Sequence, residues 1–313
     1  MPSSQQLAEP GRTRDQLLGR LCERGLMIPD EARARHYLSF VGYHRLDAYG
    51  WVFTDHRNGC LEQQRRFLPG TTFTDLEQLY SFDRELRLLV MDAIERVEVA
   101  ARSATCAVMS PVFGPLWYLN PTCFNYKPAG NGHGSLIEEI KRQVTRGVRR
   151  PRRNGAAPPA EVADIVFPPC WVMAETTSFG TWSRMYAKLQ RRYQREIAAE
   201  LDIPAHILES WLHTITNLRN LCAHHSRLWN RRYGFTPKPL DEYSEHLTGV
   251  HFNSRAAMVH ILLQRVSPGS SWPGRIKTLL RNNAPFFDSH PNVSLRAMGF
   301  REDWHRDPFW GID

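Results

Sequence analysis

The stretch NLRNLCAHHSRLWNR, residues 217–231, gathers the side chains best suited to chemistry at a phosphate. Arg219 is followed by the amide of Asn220 and, five residues on, by His224, with a second histidine at His225. An imidazole titrating near ~6.5 can act as base or acid at neutral pH. It could take the proton of a ribose 2′-hydroxyl or return one to a departing 5′-oxygen. A guanidinium could neutralise the charge that builds on the phosphate. The set needs no metal, and by this route it has no purchase on DNA, which lacks the 2′-hydroxyl. An arginine and a histidine five apart are also common on an ordinary polar helix face, so spacing alone leaves that reading open.

The segment sits on a helix expected from Pro204 to about Trp229. At about 100° per residue, Leu218, Leu221, Cys222, His225 and Leu228 continue the apolar face begun by Trp211 and Ile215. His225 is therefore expected as a packed structural histidine. His224 lines up instead with Asn217, Asn220, Arg227 and Arg231, and Asn220, one turn back, could fix its ring. Arg219 lies about 140° around the helix from His224. One regular helix would not aim both at the same phosphate, whereas two copies across a two-fold axis could. The spacing thus predicts a homodimer with a composite site.

The elements that must position this segment read as helices almost throughout. A Thr13/Gln16 capping box opens the first, which Gly25 closes. A second runs from Pro29-Asp30 to about Val41 and a third from about His44 to Phe53, followed by a loop or short hairpin over 55–73. A capping box at Thr74/Glu77 is expected to open the longest helix, Asp75 to about Ser110, ended by Pro111. Its apolar positions Leu76, Leu79, Leu86, Val90, Ile94, Val97, Ala101 and Val108 recur at helical spacing, and Glu98/Arg102 form an i,i+4 pair on it. Helices are expected over Ser183–Glu200, Arg255–Val266 and Ser271–Asn283. With no βαβ alternation, glycine-rich phosphate loop or internal repeat, the fold class is all-α. The implied organisation is an N-terminal helical segment (1–70), a core (71–235) and a C-terminal helical segment (236–313).

The 313 residues carry 40 Lys+Arg against 32 Asp+Glu, a formal net charge of +8, which favours polyanionic partners. A hydrophobic content of 42% excludes a disordered chain. No apolar run reaches the ~18 residues of a membrane span, and no secretory h-region is visible, so a cytoplasmic location is expected. The six cysteines stand singly, and there is neither HExxH nor a ligand-spaced carboxylate pair, so no metal or cofactor is expected. Near 127–165 the composition changes to a glycine triplet and then a basic run. Lys141, Arg142, Arg146, Arg149, Arg150, Arg152 and Arg153 place seven positive charges within thirteen residues. This reads as an inserted loop, either simply solvated or gripping phosphates without base specificity. Trp304 and Trp310 are core residues or part of an interface.

RNLCAHHSRLWNR resembles the signature of the Abi-like (AbiD/AbiF-type) abortive-infection proteins, within the wider HEPN superfamily. So, in the same order, do LLGRLCERGLMIPDEARARHYLSFVGYHRLDAYGWVF, DLEQLYSFDRELRLLVMDAIERVEVAARS, CWVMAETTSFGTWSRMYAKL and AMGFREDWHRDPFW. The resemblance covers most of the chain and implies a HEPN-type helical bundle core with N- and C-terminal helical extensions. It implies a toxin-like ribonuclease of anti-phage defence that dimerises to complete its site. The catalytic arginine, the polar residue after it and the catalytic histidine fall on Arg219, Asn220 and His224. His225 matches a doubled histidine, and Glu98 and Arg102 match a block that is either a structural ion pair or a second wall of the site. The implied partners are RNA substrate, with Arg227 and Arg231 among its contacts, and a structured noncoding RNA that restrains or guides the protein. The basic insert matches no block of the family. Two other readings stay open: a non-catalytic RNA-binding protein, and a regulatory helical protein that binds a phage factor.

Overall fold

A computed structural model describes residues 12–56, 65–126, 131–148, 167–290 and 292–310. Among these the regular elements are helices, joined by isolated β-bridges, so the all-α expectation holds. The chain forms two compact units. One comprises Met1–Leu86 with Thr278–Leu295, and the other Arg87–Lys277 with Arg296–Asp313.

In the first unit, α1 (Arg14–Glu23) opens on the expected capping box. Thr13 N–H donates to Gln16 Oε1 (2.8 Å) and Gln16 N–H to Thr13 Oγ1 (3.3 Å). Gly25 ends this region in the left-handed conformation (φ 92°), which a side chain would disfavour. Asp30 caps α2 (Glu31–Phe40) through Arg33 N–H, and α3 (Tyr43–Gly50) follows. The backbone at 53–55 then pairs with 66–68, Asp55 N–H donating to Arg66 C=O. The long helix α4 (Phe73–Phe113) begins in this unit, but not on the expected cap. Asp75 accepts from Thr72 N–H at 2.7 Å, so the box lies two residues earlier than Thr74/Glu77. Glu77 is instead buried, accepting from Arg33 Nε (2.7 Å) and Tyr37 Oη (2.8 Å). The Arg33 hydrogen bond holds this carboxyl below the usual carboxylate range.

The second unit holds the rest of α4. Val90, Ile94, Val97 and Ala101 are buried as their spacing predicts, and Met109 rather than Val108 continues the stripe. Pro111 does not end the helix, which runs on to Phe113. The stop is Gly114 (φ 77°), whose N–H donates to Ser110 C=O. The expected inserted loop is in part a helix. α5 (Gly132–Val148) buries Leu136, Ile140 and Val144, one turn apart, and packs against α6 (Cys170–Thr176) and α7 (Phe179–Lys188). Its charged residues, Lys141, Arg142 and Arg146, stay exposed. The single helix expected over Ser183–Glu200 is two, α7 and α8 (Arg191–Ala199), broken where Leu189 turns extended (ψ 152°).

α9 (Ala205–Ala223) packs on α7, α8 and α10 (Phe252–Val266) through Leu208, Trp211, Leu212, Ile215, Leu218 and Cys222. α10 is buried on nearly every side, the pattern of a central core helix. Its Arg255 has no carboxylate partner among the described residues; the guanidinium donates to the carbonyls of Phe235 and His251 and lies 4.1 Å over the Tyr233 ring. Burial draws its pKa down to about 10. α11 (Trp272–Asn282) is tied to α4 by Trp272 Nε1 donating to Leu89 C=O (2.7 Å), and α12 (Ala284–Ser289) follows in the first unit. Trp304 and Trp310 are core residues, in a ring cluster with Phe300, Phe309 and His260. No helix among the described residues is long and apolar enough to cross a membrane.

His260 supplies a test of this core. Its Nε2 lies 2.8 Å from Phe309 C=O, and burial lowers its pKa below the usual 6.5. A depressed histidine pKa adds stability that is present above 6.5 and lost as pH falls through the folded-state value. The drop in Tm between pH 7 and pH 5 should therefore be smaller for His260→Gln than for wild type, measured by circular dichroism. Equal drops would contradict the assignment.

Candidate active site

The end of α9 decides the geometry. The helix stops at Ala223, not near Trp229, and its last turn closes in a Schellman motif. Ser226 N–H donates to Leu221 C=O (2.8 Å) and His225 N–H to Cys222 C=O (3.0 Å). That motif requires a left-handed residue one past the cap, usually glycine. Here it is His225, at φ 55°. Histidine is among the non-glycine residues enriched in that region, but it announces the turn far less clearly than glycine would.

Three expectations change as a result. His225 is exposed at a chain reversal, not packed in the apolar stripe. Arg227 and Arg231 lie beyond the helix and not on its polar face; both are half-buried, with Arg231 Nη1 near Arg227 C=O at 3.5 Å. His224 is the C-cap residue, exposed, its N–H donating to Asn220 C=O (3.0 Å). The link between Asn220 and His224 is thus made by the backbone. His224 still bonds back to Asn220 as a helical residue does, so it stays on the helical path and its separation of about 140° from Arg219 stands; the break falls after it.

Arg219, the last arginine within α9, reaches across to α4. Its Nε is 3.4 Å from Glu98 Oε1, while Arg102 Nη2 is 3.4 Å from Glu98 Oε2. One buried carboxylate therefore faces two guanidiniums. Arg102 also donates to Thr177 C=O (3.3 Å), in the connection from α6 to α7, and lies 5.9 Å over the Phe179 ring. Burial pushes the Glu98 carboxyl above the usual range, against the pull of Arg102 and Arg219. Burial likewise lowers the Arg102 pKa, with Glu98 and Glu175 opposing. The contacts are loose. Glu98 Oε1 and Arg102 Nε are buried with no hydrogen-bond partner, because the approach of Arg219 is an ion-pair contact without aligned geometry. Arg219 keeps about a third of its side chain exposed, at 37%.

Of the residues singled out by sequence, α4 and α9 thus bring together Arg219, Glu98 and Arg102, and place Asn220 and His224 on the exposed end of the same helix. Lys141, Arg142 and Arg146 form a separate basic face on α5, while Arg149, Arg150, Arg152 and Arg153 lie outside the described residues. Thr177, Phe179 and Glu175 went unnoticed in the sequence, since a carbonyl, a ring and a distant acid beside Arg102 leave no pattern in it. Among the described residues no group of three or more His, Cys, Asp or Glu is placed to hold a metal.

These features define an all-helical protein with an Arg–Glu–Arg cluster set beside a histidine-bearing helix end. The family model of the Abi-like proteins matches residues 36–230, more than half of the chain, and the chain belongs to that family. The match runs from α2 through the turn after α9, and so contains every residue of the cluster. The family points to a role in abortive infection. No curated protein and no solved structure matches the chain.

The cluster predicts a stability cost. Glu98→Ala leaves Arg102 buried without its counter-charge and should lower the unfolding free energy by about 3 kcal/mol, read by urea denaturation at pH 7. The Glu98→Ala/Arg102→Ala double variant should lose less than the sum of the single changes. A loss below ~1 kcal/mol would show that the pair is not a buried unit.

Proposed function

We propose that this chain is a metal-independent endoribonuclease of the HEPN type, toxin-like and active in abortive infection. The observation that carries the reading is the convergence of Arg219 with Glu98 and Arg102, from segments more than a hundred residues apart, on the helix that ends at the exposed His224. Glu98 anchors Arg219 through its Nε, which leaves the outer nitrogens of the fork for a phosphate.

The imidazole of His224 would accept the 2′-hydroxyl proton as that oxygen attacks phosphorus. The P–O5′ bond breaks, and the leaving oxygen takes a proton. The products are a 2′,3′-cyclic phosphate and a 5′-hydroxyl. Arg219 would offset charge on the non-bridging oxygens, and Asn220 would donate to the substrate from the adjacent turn. Base and acid are two roles, and one chain supplies one His224. A homodimer that sets two such helix ends together would supply both. RNA is thus the substrate, and a structured noncoding RNA held on the basic face of α5 and the arginines that follow it is the proposed regulator. The second reading, an RNA-binding protein without catalysis, draws on the looseness of the Glu98 contacts, which leaves the cluster unclosed in this state.

With total RNA in EDTA, wild type should cleave and leave cyclic phosphate ends. Arg219→Ala and His224→Ala should each be slower by about 10²–10⁴-fold. Both side chains are at least partly exposed, so the variants should fold. Equal cleavage by all three proteins, or loss of cleavage on adding EDTA, would overturn the proposal. If His224→Ala weakens RNA binding and no protein cleaves, the second reading holds.

A further inference from the structure

One face of α9 carries more than the residues discussed so far. Starting from His206 and stepping four, three, four, three and four residues leads through Ser210, His213, Asn217 and Asn220 to His224. At 3.6 residues per turn these positions form one nearly straight stripe. None of the six is buried, whereas Leu208, Trp211, Leu212, Ile215 and Leu218 on the other side are. The stripe contains no carboxylate. Its span from His206 to Asn220 is about 21 Å, and it ends at the proposed catalytic histidine.

The end remote from His224 is shaped into a groove. A cavity of about 290 Å³ is lined by Arg184 on α7, by His206, Ser210 and His213 on α9, and by Lys238. Lys238 is held over the stripe by its own backbone. Its N–H donates to Ser210 Oγ (3.0 Å) and its C=O accepts from Trp211 Nε1 (2.8 Å). Pro237 and Pro239 flank it and fix the chain there. His213 is steadied by the ring of Phe235, 4.8 Å away. The lining also holds one carboxylate, Glu209, which pairs with Arg191, while Arg184 pairs with Glu139 outside the groove. Lys238 has no carboxylate within ion-pair reach among the described residues.

We infer that this groove binds the phosphodiester backbone of the RNA strand flanking the cleaved linkage, with the α9 stripe as its track to His224. The inference rests on the nuclease reading for its orientation, but the groove's own chemistry carries the binding. An ammonium on an anchored backbone, two imidazoles and a hydroxyl suit phosphate and sugar oxygens. Contacts of this kind position a strand without reading its sequence.

The test uses full-length His224→Ala as parent, so that RNA stays intact, and follows anisotropy of a fluorescein-labelled single-stranded RNA across a salt series. Adding Lys238→Glu should weaken binding about tenfold and flatten the salt dependence by about one ion's worth. Lys238→Arg should restore both. His206→Glu, at a second exposed position, should weaken binding in the same direction. DNA of the same sequence should bind within a few-fold of RNA and show the same loss, since the groove reads phosphate. Affinity unchanged in both charge-reversal variants overturns the groove, even where wild type cleaves RNA and His224→Ala does not. Binding lost in those variants while wild type cleaves nothing leaves the groove standing and removes the nuclease reading. A parent that binds no RNA overturns both.

Discussion

Glu98 is the pivot of the second unit. A carboxylate taken out of water is costly unless opposite charge stands close, and here two guanidiniums from different helices supply it. Arg102 comes from the same helix one turn on, and Arg219 arrives from α9. The rest of the unit arranges that meeting. α9 is held by its apolar face against α7, α8 and α10, and Arg102 is fixed from its far side by the Thr177 carbonyl. Because burial raises the pKa of Glu98 and lowers that of Arg102, the cluster is under electrostatic tension. It carries one more positive charge than negative, and its hydrogen bonds are incomplete. An incoming phosphate on Arg219 would meet a guanidinium that is anchored but not saturated.

The helices were legible where burial is periodic. Val90, Ile94, Val97 and Ala101 on α4, and Leu208, Trp211, Ile215 and Leu218 on α9, follow the 3.6-residue repeat and are buried as it requires. The ends were legible where the residue type favours one backbone geometry, as at Thr13 and Gly25. They were not legible where the structure used an uncommon residue for the same geometry. His225 takes the left-handed position after α9, and an apolar pattern that continues through Leu228 and Trp229 hides the break. Those two are buried by the chain after it turns, not by the helix.

The basic run misled in another way. Glycines and arginines dominate its composition, yet Leu136, Ile140 and Val144 are enough to seat α5 on its neighbours. At the candidate site the sequence placed Arg219 and His224 on one helix, and the structure keeps both there, with His224 as its C-cap and the chain turning only after it. The pairing of Arg219 with Glu98 is a tertiary contact between α4 and α9, which no spacing within either helix encodes.

The order of segments in the chain bears on when the molecule can complete itself. Thr278–Leu295 belongs to the first unit and Arg296–Asp313 to the second, and Phe300, Phe309 and Trp310 close the aromatic core around His260 of α10. Chains emerge from the ribosome N-terminus first, at about 5–20 residues per second. Arg219 and His224 therefore exist for several seconds before the aromatic side chains that finish their unit have been synthesised. A nascent chain carries the reactive residues without the finished core behind them, and a polypeptide truncated before residue 300 stays in that state. The unit that holds the Glu98 cluster is thus completed by side chains made well after those of the cluster itself.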